Sequence, residues 1–232
     1  MPRFARYAVY YAPEPGPLAD FGAAWLGWDI ATGTEVGHPD LPGLPRPVAD
    51  LTATPRKYGF HGTVKPPFRL AKGHDAEGLE HAAEHLATRL EPVTLDGLAL
   101  TRLGSFLALT PQGDKGQIAA LTALASETVQ GLDAFRAPAP QSELDKRRKA
   151  GLSPRQEALL QQWGYPYVME EFRFHLTLTG KLSGVDAGRV EEALRPALAP
   201  VLPAPFRIES LSLCGEDDEG RFHLVRRLPL LG

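Results

Sequence analysis

The chain has 232 residues, 43% of them apolar and 23% charged, a balance that suits a folded globular protein and not a disordered one. A formal net charge of −3 gives no electrostatic drive toward bulk nucleic acid or an anionic membrane, although a small anion can still be held in a local cationic pocket. The single cysteine, Cys214, excludes an internal disulfide; within the apolar run 211–214 it reads as a buried thiol.

Residues 6–12 are an aromatic and β-branched run ended by Pro13, Pro15 and Pro17, which predicts a strand. Leu18, Phe21, Trp25 and Trp28 recur at helical spacing, so 18–28 is expected as a helix with both tryptophans in the core. Residues 37–55, rich in Pro and Gly, read as an ordered loop. Next come a strand at 57–64 running into Pro66-Pro67 and a helix at 75–90. Strands at 93–103 and 105–110 meet around Gly104, and 115–132 is helical. Residues 138–164 read as a helical insertion. It holds the basic run 146–149, taken as a solvated face, and a helix start with Ser153 as N-cap, Pro154 in first position and Gln156 in the capping-box place. A strand at 172–179, a helix at 185–198 and closing strands at 206–213 and 222–227 complete the chain. Each half runs strand, helix, strand pair. The expected class is α+β, two pseudo-symmetric lobes, each an antiparallel or mixed sheet with flanking helices, around a central cleft. The whole of 1–232 is expected to form one domain.

Two segments align without gaps: Tyr58-Gly59-Phe60-His61-Gly62-Thr63-Val64 and Phe172-Arg173-Phe174-His175-Leu176-Thr177-Leu178. Each reads aromatic, spacer, Phe, His, spacer, Thr, aliphatic. Strand side chains alternate faces, so each His shares a face with its Thr, while the Phe and aliphatic positions point the other way into a core. Two such strands side by side would offer two imidazoles and two hydroxyls to one ligand.

This pair resembles the signature of the 2H phosphoesterase superfamily, His-hydrophobic-Thr-hydrophobic twice. The longer stretches Arg6-Tyr7-Ala8-Val9-Tyr10-Tyr11-Ala12-Pro13, Arg56 through Thr63, and Gly164-Tyr165-Pro166-Tyr167 through Gly180 resemble the DUF1045 group within it, often labelled a phosphonate-metabolism protein. Gly62 stands where that signature usually has a bulky apolar residue. The resemblance implies a LigT-like fold and a cyclic phosphodiesterase. Its substrate would be a small sugar phosphate or nucleotide, a ribose 1,2-cyclic phosphate being the one the group label suggests.

His61 and His175 are therefore the candidate catalytic acid–base pair, because imidazole titrates near neutrality and serves either role. Thr63 and Thr177 are candidate donors to phosphoryl oxygens. Arg173 shares the alternation of His175, and Lys57 and Lys65 that of His61, so they are candidate phosphate contacts. Tyr11 and Tyr167 are weighed as cleft residues against core or rim packing. His81 and His85 sit four apart on a predicted helix but lack an acidic third ligand, and His38, His74 and His223 read as structural. No Walker-type phosphate loop, dinucleotide fingerprint or nucleophile elbow is present. No metal, no cofactor and no membrane or long nucleic-acid partner is expected; the ligand is a small phosphate ester and the protein a monomer. The first residues lack the apolar core of a secretory leader and no window is apolar enough to span a bilayer, so the expected compartment is cytoplasmic. Two alternatives stay open: an RNA-end 2′,3′-cyclic phosphodiesterase or 2′-5′ ligase, and a non-catalytic module that binds a phosphorylated metabolite.

Overall fold

The computed structural model describes residues 4–232; Met1-Pro2-Arg3, part of the segment read for a leader, lie outside the described residues. The first half contains β1 (Arg6–Tyr11), α1 (Pro17–Leu26), β2 (Trp28–Asp29), β3 (Thr34–Glu35), α2 (Val48–Leu51), β4 (Gly62–Phe68), α3 (Ala76–Ala87), β5 (Val93–Leu95), β6 (Gly97–Leu103) and β7 (Phe106–Gln112). Then follow α4 (Lys115–Gly131), α5 (Gln141–Arg148), α6 (Pro154–Trp163), β8 (Leu176–Thr177), α7 (Gly184–Leu198), β9 (Phe206–Ile208), β10 (Ser210–Glu216) and β11 (Phe222–Pro229). The class is α+β, as the order of elements implied. No helix among the described residues is long and apolar enough to cross a membrane.

The main sheet has seven strands in the order β11-β10-β1-β4-β8-β7-β6, every neighbouring pair antiparallel. The expected two sheets thus meet edge to edge, and the recorded β4–β8 ladder is one residue pair, Gly62 with Leu176. One face of this sheet carries the main core, in which Val9, Tyr11, Phe60, Val64, Phe174, Leu176, Leu107 and Leu109 join residues of α1, α3, α4 and α7. The other face carries a smaller buried group containing Ala8, Tyr10, Ala12, Cys214 and Phe222.

Local chemistry moves several boundaries. Residues 56–58 form a 3-10 turn instead of the start of a strand, because Gly59 turns the chain at φ 69° before Phe60. The second motif strand shortens to Leu176–Thr177, held between β4 and β7. Trp28 leaves the first helix for a two-residue strand, and the Pro-rich loop contains α2. Residues 138–164 hold the two helices α5 and α6, with Ser153 and Gln156 making a reciprocal capping box at the start of α6.

Candidate active site

Both motifs are held from the core side. The Trp25 indole, fully buried in α1, donates 2.8 Å to the Leu178 carbonyl just past β8. The Phe60 ring lies where a side chain on Gly22 would be, so α1 packs directly on the first motif. The Phe174 ring likewise occupies the space of a side chain on Gly62: a Cβ there would meet two of its ring carbons at 2.5 Å. This explains the departure from the superfamily pattern, since the second motif's Phe fills the volume that the first motif's own side chain would take.

The Gly62–Leu176 pair sets the two motifs in antiparallel register. One step either way, His61 falls opposite Thr177 and Thr63 opposite His175. The two histidines are then diagonal neighbours, a relation that puts residues about 7–8 Å apart across a sheet, and their Cβ atoms somewhat closer. Each imidazole is anchored alike. His61 Nδ1 donates to the Gly59 carbonyl at 2.9 Å, and His175 Nδ1 to the Arg173 carbonyl at 2.8 Å, in both cases two residues back. A carbonyl only accepts, so Nδ1 carries the hydrogen and Nε2 is the working nitrogen of each ring. His61 Nε2 lies 3.1 Å from the Thr63 hydroxyl, which donates to it in this tautomer.

The surroundings of the two rings differ. His61 is stacked on the buried ring of Tyr10 at 3.9 Å between centroids, with Tyr58 at 6.0 Å. Burial among these rings pushes the His61 imidazole down to about 4; the Gly59 carbonyl opposes the shift and nearby His175 adds to it. His61 is thus neutral at physiological pH. His175 has a looser aromatic neighbour, Phe106, at 5.8 Å.

A cleft of about 270 Å³ lies on this face, lined by Tyr58, His61, Phe106 and Thr177 together with Thr54, Thr179, Gly180 and Lys181. That volume lies near the lower limit of small-molecule sites and suits a small ligand. None of its lining residues is acidic.

The cationic candidates fare differently. Lys65 faces away from the cleft. Tyr10 pairs with Thr63, but Val9 pairs with Lys65, so β4 carries an extra residue at a bulge and its alternation reverses there. Lys65 is buried, donates 2.9 Å to the Val129 carbonyl, and lies 3.7 Å from Asp133; burial pushes its ammonium down to about 8. Arg173 is exposed and donates to the carbonyls of Glu170 (2.9 Å) and Phe172 (2.7 Å), beside a groove lined by Leu103, Ile118 and Thr122 and not in the histidine cleft. Lys57, also exposed, sits 5.0 Å over the Tyr58 ring, outside the lining. Tyr11 packs edge-on against Phe174 and Phe206 in the core, and Tyr167 is exposed.

Residues that sequence reading passed over are Tyr10, Phe106, Thr54 and Lys181. Tyr10 had a signal, since it alternates with core-facing Tyr11; the others depend on how loops and strands converge. The remaining histidines are bound up elsewhere. His38 contacts the carbonyls of Ala24 and Trp25, His74 packs on Phe135, and His223 meets Asp217 at 2.6 Å. His81 and His85 are exposed on α3. Among the described residues, no group of three or more His, Cys, Asp or Glu is placed to hold a metal ion. Cys214 is fully buried, and burial pushes its thiol well up.

Fold and site together define an α+β protein whose sheet sets two His-x-Thr motifs side by side, with one residue of each, His61 and Thr177, lining a common cleft. A family model described as "Protein of unknown function (DUF1045)" matches residues 63–223, and the chain belongs to that family. Two curated relatives carry the name ribose 1,5-bisphosphate phosphokinase PhnN. The one from Janthinobacterium sp. (strain Marseille) is 39% identical over 98% of this chain, and the one from Laribacter hongkongensis (strain HLHK9) 37% over 97%. The chain spans about half of their length, 51% and 52%. Among solved structures, a crystal structure of a phosphoesterase aligns over 98% of this chain and 99% of its own, with TM-score 0.40 and 18% identity. E. coli LigT complexed with 3′-AMP aligns over 99% and 100%, with TM-score 0.43 and 16% identity.

Proposed function

We propose that the cleft hydrolyses a cyclic phosphodiester of a small sugar phosphate by two-histidine acid–base chemistry. The observation that carries this reading is the antiparallel register of the motifs, which sets two imidazoles diagonally with both Nδ1–H groups tied to backbone. Neutral His61 takes a proton from water through Nε2 as the water oxygen attacks phosphorus. The P–O bond to the leaving alkoxide breaks, and His175 delivers a proton to that oxygen from its own Nε2. The Thr63 hydroxyl turns from His61 Nε2 to the phosphate, freeing that nitrogen, and with Thr177 it donates to the non-bridging oxygens, where negative charge builds. Proton exchange with solvent restores both rings.

The substrate follows from the product it must leave. The curated relatives are named for a kinase acting on ribose 1,5-bisphosphate, yet the half they share with this chain has no Gly-rich phosphate loop in the present sequence. We assign the kinase reaction to their other half. Opening a ribose 1,2-cyclic phosphate 5-phosphate at O2 leaves phosphate on O1, which is ribose 1,5-bisphosphate. A cleft of about 270 Å³ suits such a ligand better than a nucleic-acid strand.

The test is a panel of cyclic phosphates, sugar and nucleotide, assayed by phosphorus NMR with EDTA present. Turnover of the ribose cyclic phosphate that vanishes in His61→Ala and in His175→Ala supports the reading. Tight binding without turnover would instead make the protein a phosphometabolite-binding module.

A further inference from the structure

We propose that Lys181, with Thr54 beside it, forms a second anion subsite that reads a remote phosphate on the substrate; this deepens the hydrolase reading and rests on it.

The first reason is the availability of cations. Around the motifs, Arg56 donates to the carbonyls of Leu26 and Ala49, Arg173 to those of Glu170 and Phe172, and Lys65 to that of Val129. Their charges are fixed to backbone, and the Lys57 ammonium sits over the Tyr58 ring outside the cleft lining. Lys181 lines the cleft, is exposed, and has no carboxylate or carbonyl partner among the described residues. The cleft has no acidic lining residue to neutralise it.

The second reason is position. Beyond Thr177 the chain continues along β7: the Leu178 amide donates to Leu107 and the Leu182 amide to Ser105. Lys181 follows Thr177 by four residues, at most about 13 Å along extended chain, and its flexible arm can reach back toward the histidines. Thr179, between them, is taken up structurally, its hydroxyl accepting from the Leu107 amide at 3.0 Å. The opposite wall is the loop after α2. It is tied down by the Gly180 amide donating 2.8 Å to the Leu51 carbonyl. Thr54 Oγ1 lies 3.2 Å from where a Cβ on Gly180 would stand, so the missing side chain lets this hydroxyl approach the backbone next to Lys181. A free ammonium and a free hydroxyl thus line the same cleft as His61 and Thr177. This is the donor set a phosphomonoester requires. The ligand class is a cyclic phosphate bearing a second phosphate across a pentose.

The experiment compares ribose 1,2-cyclic phosphate with its 5-phosphate in wild type, Lys181→Ala, Lys181→Arg and Thr54→Val. Wild type should prefer the 5-phosphorylated substrate in kcat/KM by about 10- to 100-fold, the range of one lost charge-assisted contact. Lys181→Ala should bring that ratio toward one, chiefly through KM, Lys181→Arg should restore most of it, and Thr54→Val should lower it partly. A ratio unchanged in Lys181→Ala overturns the subsite. If wild type turns over neither compound, the hydrolase reading fails, and calorimetry with ribose 1-phosphate and ribose 1,5-bisphosphate decides the subsite alone. A wild-type preference for the bisphosphate that disappears in Lys181→Ala upholds it, and equal binding of the two by wild type overturns it.

Discussion

Replacing Gly62 with alanine tests the way the two motifs interlock. The new Cβ would stand 2.5 Å from Phe174 Cε2 and Cζ, inside any normal carbon–carbon contact. The Phe174 ring has little room to yield: it is buried, with Tyr11 at 5.9 Å and Phe206 at 6.1 Å between ring centroids. Overpacking a filled core costs about 1–3 kcal/mol. For a protein of this size each kcal/mol lowers the melting temperature by about 2–4 °C, so Gly62→Ala should melt about 2–12 °C lower. Phe174→Leu should lower stability as well, by opening a void. The double variant should recover part of the Gly62→Ala loss, since the smaller side chain makes room for the added methyl. The assay is thermal unfolding by circular dichroism, supported by urea midpoints. Because Gly62 is also the β4 member of the pair joining the halves, activity should fall further than the unfolded fraction explains. Wild-type melting in Gly62→Ala would refute the interlock.

Three further outcomes follow. The His61 imidazole is held down to about 4 by burial, below its ordinary value of about 6.5, so between those limits the unfolded chain binds more protons. Stability should therefore fall as pH drops from about 6.5 toward 4, by on the order of 3 kcal/mol from this group, and urea titrations of His61→Gln should show a shallower decline. Tyr10→Phe keeps the ring stacked on His61 and should turn over almost as wild type, whereas Tyr10→Leu should lose about tenfold or more in kcat through a misplaced imidazole; equal activity in steady-state assays of the two would remove Tyr10 from the mechanism. Thr63→Val and Thr177→Val should each cost about 10- to 100-fold in kcat, less than either histidine loss, since each removes one donor from a set.

The sequence announced the parts of the site that repeat. Two His-x-Thr segments in matched apolar frames carry their own facing rule, and the structure places His61, Thr63, His175 and Thr177 on one face as alternation requires. Alternation failed at Lys65 because a bulge between Thr63 and Lys65 reverses its phase, and a bulge is visible only in strand pairing, here Tyr10 with Thr63 and Val9 with Lys65. It failed at Arg173 for another reason. A flexible guanidinium on the rim found nearby carbonyls, and no spacing rule forecasts that. Tyr10 was within reach, since it alternates with Tyr11 on a strand whose Tyr11 face is core. Thr54 comes beside the residue before Lys181 through the packing of α2's loop on the segment after β8, where it meets Gly180, 126 positions away. Helix starts were more legible, as at Ser153 and Gln156, because a cap is a local hydrogen-bond pattern written in four residues.

The central claim is that two imidazoles divide the proton transfers, with His61 as base. Its most direct test is the pH dependence of kcat/KM on ribose 1,2-cyclic phosphate 5-phosphate, measured beside His61→Ala, His175→Ala and the double variant. The account predicts a bell whose acid limb lies below the ordinary imidazole range, toward the value of about 4 that burial imposes on His61. His61→Ala should lose activity by about 10²–10⁴-fold and flatten that limb, and His175→Ala should lose a similar factor. The double variant should fall far short of the product of the two losses, because the pair acts as a unit. A profile flat from pH 4 to 9 with chemistry rate-limiting, or a single histidine variant that retains wild-type turnover, would contradict it.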